Sequence, residues 1–167
     1  YWRDWSSDVC SSDLRDLLEV ARCHEKLGEW EKVIECSLAA REIFKSKQFL
    51  GELSWCDLII SNAHIELGES KLALEWSKRA HDIAKLRKDN EVVCKASCLI
   101  ARSYIDSLQF KEAEALLEAA RNLVVTSNDW EQLIKVEQTF VTLYQATGRL
   151  AEAIELESRL NILAETF

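Results

Sequence analysis

One spacing governs this chain. Gly28, Gly68, Leu108 and Gly148 stand 40 residues apart, and three of the four glycines in the sequence occupy that position. The flanking residues repeat in type. Four places earlier come His24, His64, Tyr104 and Tyr144; seven earlier, Ala21, Ser61, Ala101 and Val141; eight earlier, Val20, Ile60, Ile100 and Phe140. Five places later come Val33, Ala73, Ala113 and Ala153; twelve later, Ala40, Ala80, Ala120 and Leu160; fifteen later, Ile43, Ile83, Leu123 and Leu163. Self-similarity at a fixed period of this length marks a stack of supersecondary units, none of which can bury its apolar face alone.

The offsets fit helices, because residues three, four and seven apart share one helical face. The chain holds no proline, so nothing interrupts such helices, and it has little turn chemistry for an all-β fold. Each unit therefore reads as a helix, a tight turn and a second helix, with glycine taking the left-handed backbone that ends the first. Predicted helices cover 14–27 and 30–47, 51–67 and 70–87, 91–107 and 110–126, 130–146 and 150–165. Small residues seven before and five and twelve after the turn are expected where two helices cross. Large apolar residues eight before, eight after (Cys36, Trp76, Leu116, Leu156) and fifteen after are expected to fill the space between repeats. Asp89-Asn90 and Asn128-Asp129 supply N-cap residues between repeats.

Written out, the units are Val20-Ala21-x-x-His24-x-x-x-Gly28-x-Trp30-x-x-Val33 and Ile60-Ser61-x-x-His64-x-x-x-Gly68-x-x-x-x-Ala73. The next two are Ile100-Ala101-x-x-Tyr104-x-x-x-Leu108-x-Phe110-x-x-Ala113 and Phe140-Val141-x-x-Tyr144-x-x-x-Gly148-x-Leu150-x-x-Ala153. This pattern resembles the tetratricopeptide repeat (TPR) family over about residues 15–167. That family usually repeats every ~34 residues, so each unit here carries about six more, as in rapsyn, the Pins-like G-protein-signalling modulators and some axonemal docking proteins. The resemblance implies an all-α, right-handed superhelical solenoid of four antiparallel helix–turn–helix repeats. They fall at about 15–50, 51–89, 90–129 and 130–167, eight helices in all, as a fragment of a longer array.

Residues 1–14 share no pattern with the rest. Asp4 to Leu14 reads DWSSDVCSSDL, the in-frame translation of a common sequencing adaptor. This segment is expected to be a non-native leader and is set aside from functional argument. The sequence contains no methionine, and the native part is expected to begin near Arg15, inside something longer.

In the TPR family the first helix of each unit lines a concave groove. By that resemblance the groove positions here are Arg15, Leu18, Arg22 and Glu25; then Trp55, Leu58, Asn62 and Ile65. In the last two units they are Lys95, Cys98, Arg102 and Ile105, followed by Lys135, Gln138, Thr142 and Gln145. Five bases stand against one acid in a chain whose net charge is −8 and whose pI is near 5.0. Bases with Asn and Gln amides suit an acidic or C-terminal peptide, the amides binding its backbone, with Trp55 as an aromatic anchor. The family's carboxylate clamp for chaperone tails is not expected, because Leu18, Arg22, Ile59, Lys95 and Leu99 stand at the corresponding positions and only Lys95 fits.

Other classes find less support. An acidic chain is poorly suited to nucleic acid or to anionic membranes, and no apolar run approaches the ~20 residues that cross a bilayer. The six cysteines are irregularly spaced and mostly within helical patterns, as buried thiols of a reducing compartment are, so a cytoplasmic protein is expected. Cys94 and Cys98 share a helical face but lack the matched second pair of a metal site. His24 and His64 occupy the slot that tyrosines fill in the other repeats and read as packing residues. No Gly-rich phosphate loop or nucleophile elbow occurs. No cofactor, metal or catalytic residue is expected. The expected function is a protein-interaction scaffold or adaptor; the alternative is a regulatory or sensor arm of a larger enzyme or transcription regulator. Leu156, Leu160, Leu163 and Phe167 also suggest self-association through an exposed terminal repeat.

Overall fold

The structure, a computed structural model, describes the backbone of residues 11–166 and the side chains of 18–162. Among these residues eight helices follow one another: α1 (Ser11–Leu27), α2 (Trp30–Ser46), α3 (Leu50–Glu66), α4 (Ser70–Arg87), α5 (Asn90–Asp106), α6 (Phe110–Ser127), α7 (Trp130–Ala146) and α8 (Leu150–Thr166). The fold is an all-α TPR-like solenoid of four helical hairpins. Each helix packs on its neighbours in sequence, and α3, α5 and α7 also touch one another in succession along one side of the array. Of the expected leader, residues 1–10 lie outside the described part, and α1 already runs through residues 11–14.

The turns explain the regularity. Gly28, Gly68, Leu108 and Gly148 all have positive φ, and so do Gln48, Lys88 and Asn128 midway between them. A left-handed residue therefore stands every 20 residues, ending one helix and releasing the next. At Gly28 the amide donates to Glu25 O (3.1 Å) and the following amide to His24 O (3.0 Å); at Leu108 the same pair of bonds forms to Ile105 and Tyr104. Leu108 thus adopts the glycine conformation at φ 60°. Asp89 and Asp129 cap α5 and α7 by accepting from Val92 N (3.2 Å) and Gln132 N (3.1 Å). Glu29 and Glu69 precede α2 and α4 without capping them; their carboxylates bond His24 Nδ1 and His64 Nδ1 instead, each at 2.6 Å.

The core departs in part from the expected positions. Ala21, Ser61 and Ala101, and Val33, Ala73 and Ala113, are buried at the crossings, and Ser61 Oγ donates across one crossing to Ala73 O (2.9 Å). The second-helix stripe that turns inward is Val33-Ser37-Ala40-Phe44, Ala73-Ser77-Ala80-Ala84 and Ala113-Leu117-Ala120-Val124. Its spacing of four, three and four residues is one continuous helical face. Cys36, Trp76 and Leu116 sit one residue to the side and are only half-buried, as are Ile43, Ile83 and Leu123. Trp76 lies instead beneath the guanidinium groups of Arg41 (5.1 Å) and Arg79 (4.6 Å). Val20 is 44% exposed rather than buried. At the last repeat Leu156 is buried in the core and Leu160 half-buried against it, while Ile154 and Ile162 are exposed. Leu163 and Phe167 lie outside the described side chains.

Candidate functional site: a concave groove along the first helices

The first helices bring the same register positions of successive repeats side by side. A cavity of about 560 Å³ runs along them, lined by Arg22 and Glu25 of α1, Trp55, Leu58 and Asn62 of α3, Lys95 and Arg102 of α5, and Lys135, Gln138 and Thr142 of α7, among others. Of the groove residues expected from sequence, Arg22, Trp55, Asn62, Lys95, Arg102, Lys135 and Gln138 thus face one space. Arg15 lies outside the described side chains. Gln145 does not line the cavity; it is exposed, and its amide donates to Glu157 Oε1 of α8 at 2.9 Å. Ile65 and Ile105 are buried in the helix packing rather than lining the groove.

The floor contains residues that the groove register omitted. Ile59, Leu99 and Thr139 line the cavity with Cys98. They precede Ile60, Ile100 and Phe140, which point into the core, so each sits where the first helix turns from core to groove. A run of apolar residues in a first helix is the signal for such a floor.

Every described cation of the groove already has an acidic neighbour. Arg22 Nη1 lies 2.7 Å from Glu19, Lys95 Nζ 2.5 Å from Glu91, Arg102 Nη2 3.1 Å from Glu66, and Lys135 Nζ 2.7 Å from Glu131. The Glu131 carboxyl is held below the usual range by its hydrogen bond from Lys135. Lys95 also stands over the Trp55 ring at 4.2 Å, so the indole face meets an ammonium rather than open groove. Asn62 Nδ2 donates to Glu25 Oε1 at 3.2 Å. The pairs within one helix stand at least partly in solvent, where such pairs are weak, so a carboxylate that two bases reach at once can displace them at small cost.

Elsewhere the charged groups tie the array together. Arg41 Nε donates to the fully buried Asp57 at 2.5 Å, and Arg121 grips Glu137 with two bonds of 2.8 and 2.7 Å. Burial raises the Asp57 carboxyl, with the hydrogen bond from Arg41 opposing, and its Oδ2 has no partner. His81 and Ser97 occupy the equivalent places at the middle junction, and burial pushes the His81 imidazole down. Among the described residues no three His, Cys, Asp or Glu side chains converge as metal ligands, and no helix is long and apolar enough to cross a membrane.

No protein-family model matches the chain, and no curated sequence is close enough to count as a relative. Solved structures do resemble it. The apo form of RapI superposes over 97% of this chain with a TM-score of 0.80 at 16% identity, and a Rap protein in complex with competence and sporulation factor over 89%, at 0.77 and 17%. A kinesin light chain of Podosopora anserina with nearly identical TPR-like repeats matches over 93%, at 0.71 and 21%, which spans 77% of that chain. The chain spans 60% of RapI and 41% of the complexed Rap protein. At these identities what is shared is the fold: a stack of TPR-like helical hairpins.

Proposed function

We propose that this solenoid is an interaction module that holds an acidic peptide segment of a partner protein in its concave groove, and that it binds rather than catalyses. One observation carries the reading. In a chain of net charge −8, the cavity lining holds four bases and one acid, together with the Asn62 and Gln138 amides. Bases arranged along a groove recognise carboxylates, and amides can pair with the backbone of an extended ligand. The binding of a partner protein by a cytoplasmic scaffold or adaptor fits this arrangement.

A second reading places the same groove in a regulatory arm of a larger enzyme or transcription regulator. The observation that favours it is the likeness to part only of longer chains, the Rap proteins among them.

Fluorescence anisotropy with labelled peptide pools tests the groove. Asp/Glu-rich pools should bind in preference to Lys/Arg-rich pools, and binding should weaken with salt. Equal binding of both pools, or binding that survives reversal of Lys95 and Arg102, would sink the reading.

A further inference from the structure

Cys94 and Cys98 stand one turn apart on α5, in the middle of the array. Cys94 is fully buried and its thiol points to Gln132 O of α7 at 3.9 Å; Cys98 is 8% exposed and lines the groove cavity. Facing them from α7 are Thr139 and Lys135, which line the same cavity. We propose that Cys94 and Cys98 form a peroxide-responsive dithiol, with Cys98 as the attacking thiol and Cys94 as the resolving one. This site is independent of whether the groove binds peptides.

The asymmetry of the pair assigns the roles. Cys98 is reached through the cavity, whereas Cys94 is shut off behind it. The neighbouring Cys94, Thr139 and the Lys135 charge hold the Cys98 thiol below its ordinary value against the effect of burial, while Cys98 and burial hold Cys94 above its own. A thiolate beside a cation and open to a cavity is the reactive form. The other described cysteines lack this setting. Cys56 is buried and pushed up to about 12, chiefly by desolvation, and burial also raises Cys36.

The chemistry balances with one molecule of hydrogen peroxide. The Cys98 sulfur attacks a peroxide oxygen; an S–O bond forms, the O–O bond breaks and hydroxide leaves. Sulfur is oxidised by two electrons and the peroxide reduced. Cys94 then attacks the sulfenic sulfur; an S–S bond forms, the S–O bond breaks, and the hydroxyl leaves as water with the Cys94 proton.

The product is strained by its place in the fold. Residues four apart in a helix hold their Cβ atoms ~5–6 Å apart, whereas a disulfide requires roughly 3.5–4.5 Å. Forming it must overwind or bend α5 at the groove floor. A strained disulfide is readily reduced, which suits a reversible switch more than a permanent staple.

Trypsin makes the test clean, because Lys95 separates the two cysteines. The intact chain is treated with a small excess of hydrogen peroxide, alkylated and digested without reductant. The peptides 89–95 and 96–102 should then appear as one linked species, reversed by dithiothreitol. Cys94→Ser should leave Cys98 trapped as sulfenic and then sulfinic acid, and Cys98→Ser should leave Cys94 unmodified. Circular dichroism should show a reversible loss of helicity in the oxidised wild type only. The proposal is overturned if peroxide oxidises Cys23 or Cys56 while 89–95 and 96–102 stay separate, or if Cys94 oxidises equally well in Cys98→Ser.

Discussion

The Arg41 guanidinium reaches from α2 to the wholly buried Asp57 on α3, joining the first repeat to the second with a 2.5 Å hydrogen bond. Eighty residues on, Arg121 and Glu137 repeat the connection between the third and fourth. Removing one partner of a buried pair strands the other charge. Arg41→Ala should therefore destabilise the fold by about 3 kcal/mol. Arg121→Ala should cost less, because Glu137 is 16% exposed and can regain water. Urea unfolding of the two variants checks the order; equal losses would show that burial of the acid does not decide the effect.

The same residue gives a pH dependence. The folded state raises the Asp57 carboxyl above its ordinary value of 3.8, so it holds the proton more tightly than the unfolded chain does. That contribution is complete below the unfolded value and fades as pH rises through the folded one. Asp57→Asn carries no such titration. Wild type should therefore lose ground to Asp57→Asn as pH rises from about 4 to 7, compared by urea midpoints. A gap that moved in favour of wild type with rising pH would mean that the Arg41 pair outweighs desolvation.

Leu108 should be improvable. It is 75% exposed and holds φ 60°, where its three counterparts are glycines. A side chain in the left-handed region costs roughly 1 kcal/mol, and here no core burial offsets it. Leu108→Gly should raise stability by about 0.5–1 kcal/mol, reduced by the extra freedom of glycine in the unfolded chain. The converse, Gly68→Ala, should be destabilising through backbone strain alone, since no atom lies within 4 Å of an added Cβ. Thermal melts of both settle the sign.

Ala113 is fully buried among Ala101, Leu117 and their neighbours in the core of the last two repeats. Ala113→Leu should overpack that core and cost about 1–3 kcal/mol. A loss of under a few tenths, measured by chemical denaturation, would place Ala113 away from the crossing.

At the groove, Lys95→Glu with Arg102→Glu should weaken an acidic peptide by about tenfold or more. Stability should change little, because both bases sit in partly exposed pairs. Anisotropy titrations alongside melting curves separate lost binding from lost fold.

The hairpin turns were the most legible part of the sequence, because glycine at Gly28, Gly68 and Gly148 advertises a backbone that few residues adopt. The turns between repeats use the same backbone but place Gln48, Lys88 and Asn128 there, and Gln and Lys carry no such signal. Small residues at the crossings were readable for a similar reason: only they fit. The inward stripe was not, since Ser37 and Ser77 look like surface residues, and Ser77 is satisfied by bonding back to Ala73 O. In the groove, the register located the bases but not Glu91 and Glu131 beside them. Those acids lie one turn back on the same helices, so the local charge belongs to the pairs rather than to the lysines alone. Trp55 was expected as an aromatic anchor; only the three-dimensional arrangement puts Lys95 over its ring.

The left-handed residue every 20 positions also fixes the currency in which such a chain can change length. Deleting one residue inside a helix turns everything beyond it by about 100°, swinging core stripe and groove stripe out of line together. Deleting 20 would exchange inner helices for outer ones. Only a step of 40 restores every side chain to an equivalent neighbour, so the groove can lengthen or shorten by whole hairpins while its floor and its bases stay in phase.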